Sequence, residues 1–416
     1  MRYLNFSGAG VSHFPMNILF VHNNFPAQYR HLARALSENQ DHTVVAVGST
    51  TAKATPGVRL LKYSSPISDP TLVHPFARRF DLECRRAEEV LYILSSLAGQ
   101  GFVPDLIFAH PGWGETLPLR TMFPKARIVL YCEFFYAAEG RDVGFDPEFP
   151  STGLDGHVAL HLKNASSLLA LAECDAGVSP TPWQKSTFPS EFQSKIQVVH
   201  EGVDVDEAKP DPDATLLLPN GLWLSPNDEV ITYVSRNLEP LRGFHIFMRS
   251  LPRILQARPN AQVLIVGGSG TSYGAQPPKG TTWKSKFLDE VRPEIDLRRV
   301  HFLGQIPRDQ YLQVLQVSSV HVYLTYPFVL SWSCLEAMSA GCVVVASDTP
   351  PLRDVISPET GILVPFFDID ALSEKVISVL SRPRSFQNMR AKARLFVEEN
   401  YDALRVCLPE MLKLVH

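Results

Sequence analysis

The chain has 416 residues, 45% of them apolar and 20% charged, with a formal net charge of −4. That length exceeds what one hydrophobic core serves, so two domains of about 200 residues are expected, and the composition excludes wholesale disorder. The slightly acidic balance argues against nucleic acid as a partner. No apolar run approaches the ~20 residues of a membrane span, which leaves membrane contact at most peripheral. The six cysteines are scattered, none in a Cys-x-x-Cys pair, which fits reduced thiols in a cytoplasmic protein.

Residues 1–15 lack a basic-then-apolar pattern and read as an N-terminal extension, with Met16 directly before the first strand. Residues 16–205 then alternate short apolar runs with helical patterns. Strands are expected at Asn17–His22, Thr43–Val47, Asp105–His110, Arg127–Phe134, Gly177–Ser179 and Ile196–His200. Helices are expected near Gln28–Ser37, Ala77–Leu97 and His157–Ala172. Residues 206–228 break the pattern with Lys-Pro-Asp-Pro-Asp, Pro-Asn-Gly and Ser-Pro-Asn-Asp, and read as a linker. Alternation resumes over 229–385, with strands at Glu229–Arg236, Gln262–Gly267, Val300–Gly304, Val320–Tyr326, Val343–Ser347 and Gly361–Val364. Gly274–Thr282 reads as a mobile loop, and 386–416 as helices packing back toward the first domain. The pattern is α/β: two doubly wound, Rossmann-like domains facing a central cleft, with ligands beyond the carboxyl ends of the strands.

Several strand ends carry candidate chemistry. Arg236 and Arg242 follow the strand ending at Ser235; two guanidiniums at one turn suit a diphosphate, and a pairing of Arg236 with Glu239 is the structural alternative. Glu336 follows the strand-turn segment 323–333. It fits either a ligand carboxylate or the last residue of a capping box begun by Ser333. Backbone amides around Leu330, Ser331, Trp332 and Ser333 would open a helix toward an anion. His110 ends a strand and enters Pro-Gly-Trp113-Gly-Glu115. The turn His22-Asn-Asn24-Phe-Pro lacks glycine, so Asn24 is either a ligand amide or a helix cap. Gly267-Gly268-Ser-Gly follows a strand in turn. Glu133 and Glu139, in an aromatic and acidic loop, suit a carbohydrate or polyol, or simply an ordered edge. No Asp-x-Asp motif stands at a strand end where it would hold a metal with an anionic substrate.

The order of Arg236/Arg242, Gly267–Gly270, the Gly304 turn and Glu336–Gly341 resembles the family-4 retaining glycosyltransferases, also called glycosyl transferases group 1, of GT-B fold. The resemblance runs from Asn17 to the C-terminal helices. It implies that Arg236 and Arg242 grip a donor diphosphate, Glu336 holds its ribose, the backbone near Ile306 meets its base and His110 faces the reacting sugar. Phe328 stands where relatives place the first Glu of a Glu, seven residues, Glu motif. Trp113, Glu115, Glu133 and Glu139 fall on the acceptor side. The implied activity is metal-independent, cofactor-free transfer from a nucleotide sugar to a carbohydrate, lipid-linked or small-molecule hydroxyl. A nucleotide-sugar epimerase and a silent nucleotide-sugar-binding protein remain alternatives.

Overall fold

The computed structural model describes residues 14–64, 69, 71–149 and 153–416; nearly all of the expected extension at 1–15 lies outside them. The chain forms two compact units. One gathers the described residues of 1–144 and 150–202 with Ala403–His416; the other gathers Phe145–Phe149 with Val203–Asp402.

The first unit is built on strands β1 (Asn17–Val21), β2 (Thr43–Ser49), β3 (Arg59–Tyr63), β4 (Leu106–Ala109), β5 (Arg127–Tyr131), β6 (Ala176–Ser179) and β7 (Ile196–Val198). They pair in parallel in the order β3-β2-β1-β4-β5-β6-β7. Side chains of a strand alternate between faces, and here both faces are dry. Ile18, Phe20, Val44, Ala46, Leu106 and Phe108 share one cluster with Leu408, Met411 and Leu412 from the end of the chain. Leu19, Val21, Val45, Val47, Ile107 and Ala109 share the opposite cluster with Val90, Leu94 and Leu97 of the helix Arg78–Gly99. Burial on both sides is why these strands read as unbroken apolar runs.

The second unit opens with a small antiparallel hairpin, β8 (Leu216–Leu217) and β9 (Trp223–Leu224). Its sheet holds β10 (Val230–Asn237), β11 (Gln262–Gly268), β12 (Val300–Gly304), β13 (Val320–Tyr323), β14 (Val343–Ser347) and β15 (Ile362–Val364), parallel throughout, in the order β12-β11-β10-β13-β14-β15. Both sheets therefore reverse strand order beside their first strand, between β1 and β4 and between β10 and β13. A crevice forms at such a reversal because the flanking loops turn to opposite faces.

Three expectations about organisation change. The chain passes between units at Gly202 and Val203, and 206–228 is no linker: Ala208, Ala214, Leu216, Leu218 and Leu224 are buried in the second unit. Of the C-terminal helices, Gln387–Tyr401 stays with the second unit, burying Ala393 and Val397, and only Ala403–His416 joins the first. Finally, Phe145–Phe149 leaves the first unit in mid-sequence. Phe145 packs on Tyr326, Phe366 and Phe367, and Phe149 on His245, Trp283 and Phe287. Asp146 accepts from the Tyr326 hydroxyl at 2.7 Å and lies 2.9 Å from His245 Nε2. Among the cysteines Cys84 is exposed and the other five are buried.

Candidate functional site

In the second unit β10 ends at Arg236 and Asn237, next to the end of β13 at Tyr323. The chain then turns through Pro240–Arg242 into the helix Phe244–Ala257. Gly243 sits between them with φ of 68°, and a Cβ there would collide with the Leu324 side chain; only glycine lets this turn lie against the segment leaving β13. The close approach delivers Arg242. Its Nη1 donates to Thr325 Oγ1 and Val329 O at 2.9 Å each and to the Tyr323 hydroxyl at 3.3 Å.

Phe328 is 2% exposed, with the Arg242 guanidinium 5.6 Å from its ring centre and the Tyr273 ring 5.0 Å away. The Tyr273 hydroxyl in turn accepts from Arg236 Nη1 at 3.3 Å. Arg236, Tyr273, Phe328 and Arg242 thus form one row, with a cation at each end and aromatic rings between. Glu239 is not the partner of Arg236. It is 1% exposed and accepts the backbone N–H groups of Ser272, Tyr273 and Gly274 at 3.0–3.3 Å. Asn237 Nδ2 donates to Ser272 Oγ at 2.7 Å beside Gly268, and Trp283 Nε1 holds Ala275 O at 3.0 Å. The start of the loop expected to be mobile is therefore tied down.

The helix Trp332–Ser339 begins just past this row, with Ser331 as its extended N-cap. Ser331 N–H donates to the Tyr323 hydroxyl at 2.9 Å, and the Ser331 and Ser333 hydroxyls share a 2.7 Å hydrogen bond. Leu330 is buried and Trp332 exposed. The capping box does not form, because Glu336 lies too far into the helix to reach back. Its carboxylate pairs instead with Arg308 through Oε1 and accepts the Tyr311 hydroxyl on Oε2 at 2.6 Å. Both partners come from the helix Arg308–Gln316, which follows the half-buried Ile306 turn.

The corresponding point of the first unit has different chemistry. His22 follows β1 and His110 follows β4, their rings 5.2 Å apart; Trp113 stacks on His110 at 4.3 Å and lies 5.1 Å from His22. Backbone amides fix both tautomers: His22 Nδ1 accepts from Asn24 N–H and His110 Nδ1 from Gly112 N–H, each at 3.0 Å. Burial, and then the neighbouring His110, hold His22 well below the usual imidazole range, so it stays neutral. Its Nε2 pairs with Gln28 Oε1 at 2.9 Å, and Gln28 Nε2 donates to Glu133 Oε1 at 2.9 Å. Glu133 Oε2 lies 3.4 Å from His110 Nε2. The result is a line of polar groups ending at a partly exposed carboxylate, flanked by aromatic faces.

Three candidates stand apart from that line. Asn24 accepts the Thr51 hydroxyl on its side-chain oxygen at 2.6 Å, so that side chain caps no helix. Glu115 is fully buried; burial pushes its carboxyl up and the Tyr63 hydroxyl donates to it, which removes it from an acceptor's reach. Glu139 lies exposed in its loop. Sequence reading missed Tyr273, Arg308, Tyr311, His22 and Gln28 as site residues. The three-residue spacing of Arg308 and Tyr311 directly after the Ile306 turn was the one usable signal.

Two family models match the chain: the glycosyl transferase family 4 group over residues 40–208, and glycosyl transferases group 1 over residues 223–396. A D-inositol 3-phosphate glycosyltransferase of Mycobacterium sp. (strain JLS) is 29% identical over 194 residues, 45% of this chain and 40% of that protein. A GDP-mannose-dependent monoacylated alpha-(1-6)-phosphatidylinositol monomannoside mannosyltransferase of Corynebacterium glutamicum is 28% identical over 220 residues, 51% and 55% of the two chains. The match thus spans about half the length of these curated relatives. Among solved structures, sucrose-phosphate synthase from Thermosynechococcus elongatus superposes with a TM-score of 0.73 at 19% identity, covering 96% of this chain and 98% of its own. Anabaena HepE in complex with UDP-glucose gives a TM-score of 0.64 at 14% identity, covering 96% and 99%. These likenesses establish a shared two-domain fold.

Proposed function

We propose, for a chain that belongs to the glycosyl transferases group 1 family, that it moves a sugar from a nucleoside-diphosphate sugar to a hydroxyl acceptor, with retention of configuration and without a metal. The observation that carries this reading is the pair of guanidiniums, Arg236 and Arg242, beside the start of the helix Trp332–Ser339 at the strand reversal of the second unit. Charge on the departing diphosphate grows as the glycosidic bond breaks, and fixed guanidiniums with a helix N-terminus stabilise that growth. Glu336 accepts from the ribose hydroxyls. The acceptor hydroxyl then attacks on the departing face, and a donor phosphate oxygen takes its proton, so no enzyme nucleophile is required. His110, Trp113 and Glu133 offer hydrogen bonds and an aromatic face to sugar hydroxyls in the first unit.

The names of the relatives support a polyol or lipid-linked polyol as acceptor. Among the described residues no helix is long and apolar enough to cross a membrane, and contact with a bilayer surface is part of this proposal only for a lipid-linked acceptor. A second reading, nucleotide-sugar binding without transfer, draws on Phe328, whose buried ring offers no acceptor to a sugar hydroxyl. An epimerase would share the donor pocket and is separated by its product.

The test is release of nucleotide from UDP-, GDP- and ADP-sugars by the purified protein without metal, beside Arg236→Ala. Release from one donor that the variant abolishes supports transferase chemistry and names that donor. Binding of a donor with no turnover across a panel of polyol acceptors favours the silent reading. If no nucleotide sugar reacts with or stabilises the protein, the donor assignment is wrong.

A further inference from the structure

We propose that Arg308 and Tyr311 are positioning residues that hold the Glu336 carboxylate in the one orientation able to accept both ribose hydroxyls of a bound nucleotide. The proposal rests on the reading of Glu336 as the ribose ligand and adds what makes that side chain competent.

Glu336 is 6% exposed, on the first turns of the helix Trp332–Ser339. A glutamate has three rotatable bonds, and alone it would spend much of its time in other rotamers. Two groups from another helix remove that freedom. Arg308 Nη1 pairs with Oε1, and the Tyr311 hydroxyl donates to Oε2 at 2.6 Å. They stand three residues apart on the helix Arg308–Gln316, so one face delivers both, and the guanidinium lies 5.4 Å from the Tyr311 ring centre.

The stoichiometry leaves room for a ligand. An ionised carboxylate has about four acceptor positions, two per oxygen. One on each oxygen is filled, and one on each remains, a pair of acceptors side by side. A vicinal diol presents two donors in the same arrangement. Arg308 contributes charge as well as geometry. A bare carboxylate close to a diphosphate repels it, and the Arg308 guanidinium offsets that charge while also lying 3.5 Å from Glu207. Arg308 and Tyr311 follow directly on the Ile306 turn, so one element links the expected base contact to the ribose carboxylate.

The experiment compares the affinity of the full chain for the ribonucleoside diphosphate that binds best among UDP, GDP and ADP with that for its 2′,3′-dideoxy counterpart, by titration calorimetry. Wild type is expected to prefer the ribonucleotide by roughly tenfold or more, the usual scale for hydrogen bonds to a charged group. Tyr311→Phe should lower ribonucleotide affinity about fivefold to tenfold and leave the dideoxy affinity unchanged, so that the preference collapses. Arg308→Ala, a change at a partly exposed residue, removes charge as well as a hydrogen bond; it should weaken both nucleotides but the ribonucleotide more, so that the preference shrinks, and it keeps the test open if Tyr311→Phe folds poorly. A variant that weakens both ligands equally, or keeps the full preference, overturns the positioning role while the ribose reading stands. A wild type that treats the two nucleotides alike, or binds neither, overturns the ribose reading and the positioning role together.

Discussion

The two units share a plan and differ in what they place on it. Both carry a parallel sheet whose order reverses beside its first strand, and both put their polar side chains at that reversal. In the second unit the reversal holds Arg236 and Arg242, a helix start and a braced carboxylate. In the first it holds two imidazoles whose Nδ1 atoms each accept a backbone amide, an indole and a glutamate. On the proposed function, one set answers to an anion and a ribose and the other to neutral hydroxyls. The lesson is that the backbone fixes where a ligand sits, while three or four strand-end residues decide its charge.

The contrast breaks most visibly at Arg242. Arg242→Ala should weaken binding of a nucleoside diphosphate by roughly 10- to 100-fold, the scale of hydrogen bonds to a charged group. His110→Ala in the other unit should leave that affinity within about threefold if the two reversals divide the work as argued. Calorimetric titration of both variants decides it, and equal losses would erase the division. Arg242→Lys should recover only part, since an ammonium cannot reproduce the fork.

Glu239→Ala comes next. Removing a buried carboxylate that holds three backbone amides should cost about 2–4 kcal/mol. The loss should appear as earlier unfolding of the second unit, followed by hydrogen exchange at residues 272–274. Gly243→Ala should cost about 1–3 kcal/mol, from its left-handed backbone and the collision with Leu324, and should weaken nucleotide binding by displacing Arg242.

The smallest effect is the part of the pH dependence that His22 of the first unit contributes. Burial lowers the His22 pKa in the folded state, so the unfolded chain takes up a proton that the folded one refuses. Stability should therefore fall as pH drops below about 6.5, by at most about 1.4 kcal/mol per pH unit for this group. His22→Asn, which keeps a side-chain acceptor for the Asn24 amide, should flatten that slope in thermal unfolding between pH 5 and pH 7. An unchanged slope would assign the acid sensitivity to another group.

Much of the fold was legible because strands buried on both faces must be apolar without interruption. Val44–Val47 and Val343–Ala346 have few other readings. The elements that escaped are those without that property. The edge strand Arg59–Tyr63 carries exposed Arg59 and Lys62, and the Leu216–Leu217 and Trp223–Leu224 hairpin buries one residue per strand amid Pro, Asn and Gly that read as a linker. Site residues at strand ends could be found from position alone. Their partners could not: Gln28 reaches Glu133 across 105 residues and Arg308 reaches Glu336 across 28, contacts that no local pattern encodes. Glu336 illustrates the limit. Its spacing from Ser333 satisfied a capping rule, and only the neighbouring helix explains why the side chain faces away.

The excursion of Phe145–Phe149 bears on how this molecule can be cut and made. A gene fragment stopping at codon 202 would encode a sheet whose apolar cover lacks Leu408, Met411, Leu412, Leu414 and Val415, and would leave Phe145 and Phe149 with no ring partners. A fragment starting at 203 would lack the Asp146 that meets Tyr326 and His245. During synthesis the first sheet emerges early yet receives its final packing from residues 403–416, which follow the whole of the second unit. Primary structure runs in one direction here, while completion of the two halves is interleaved.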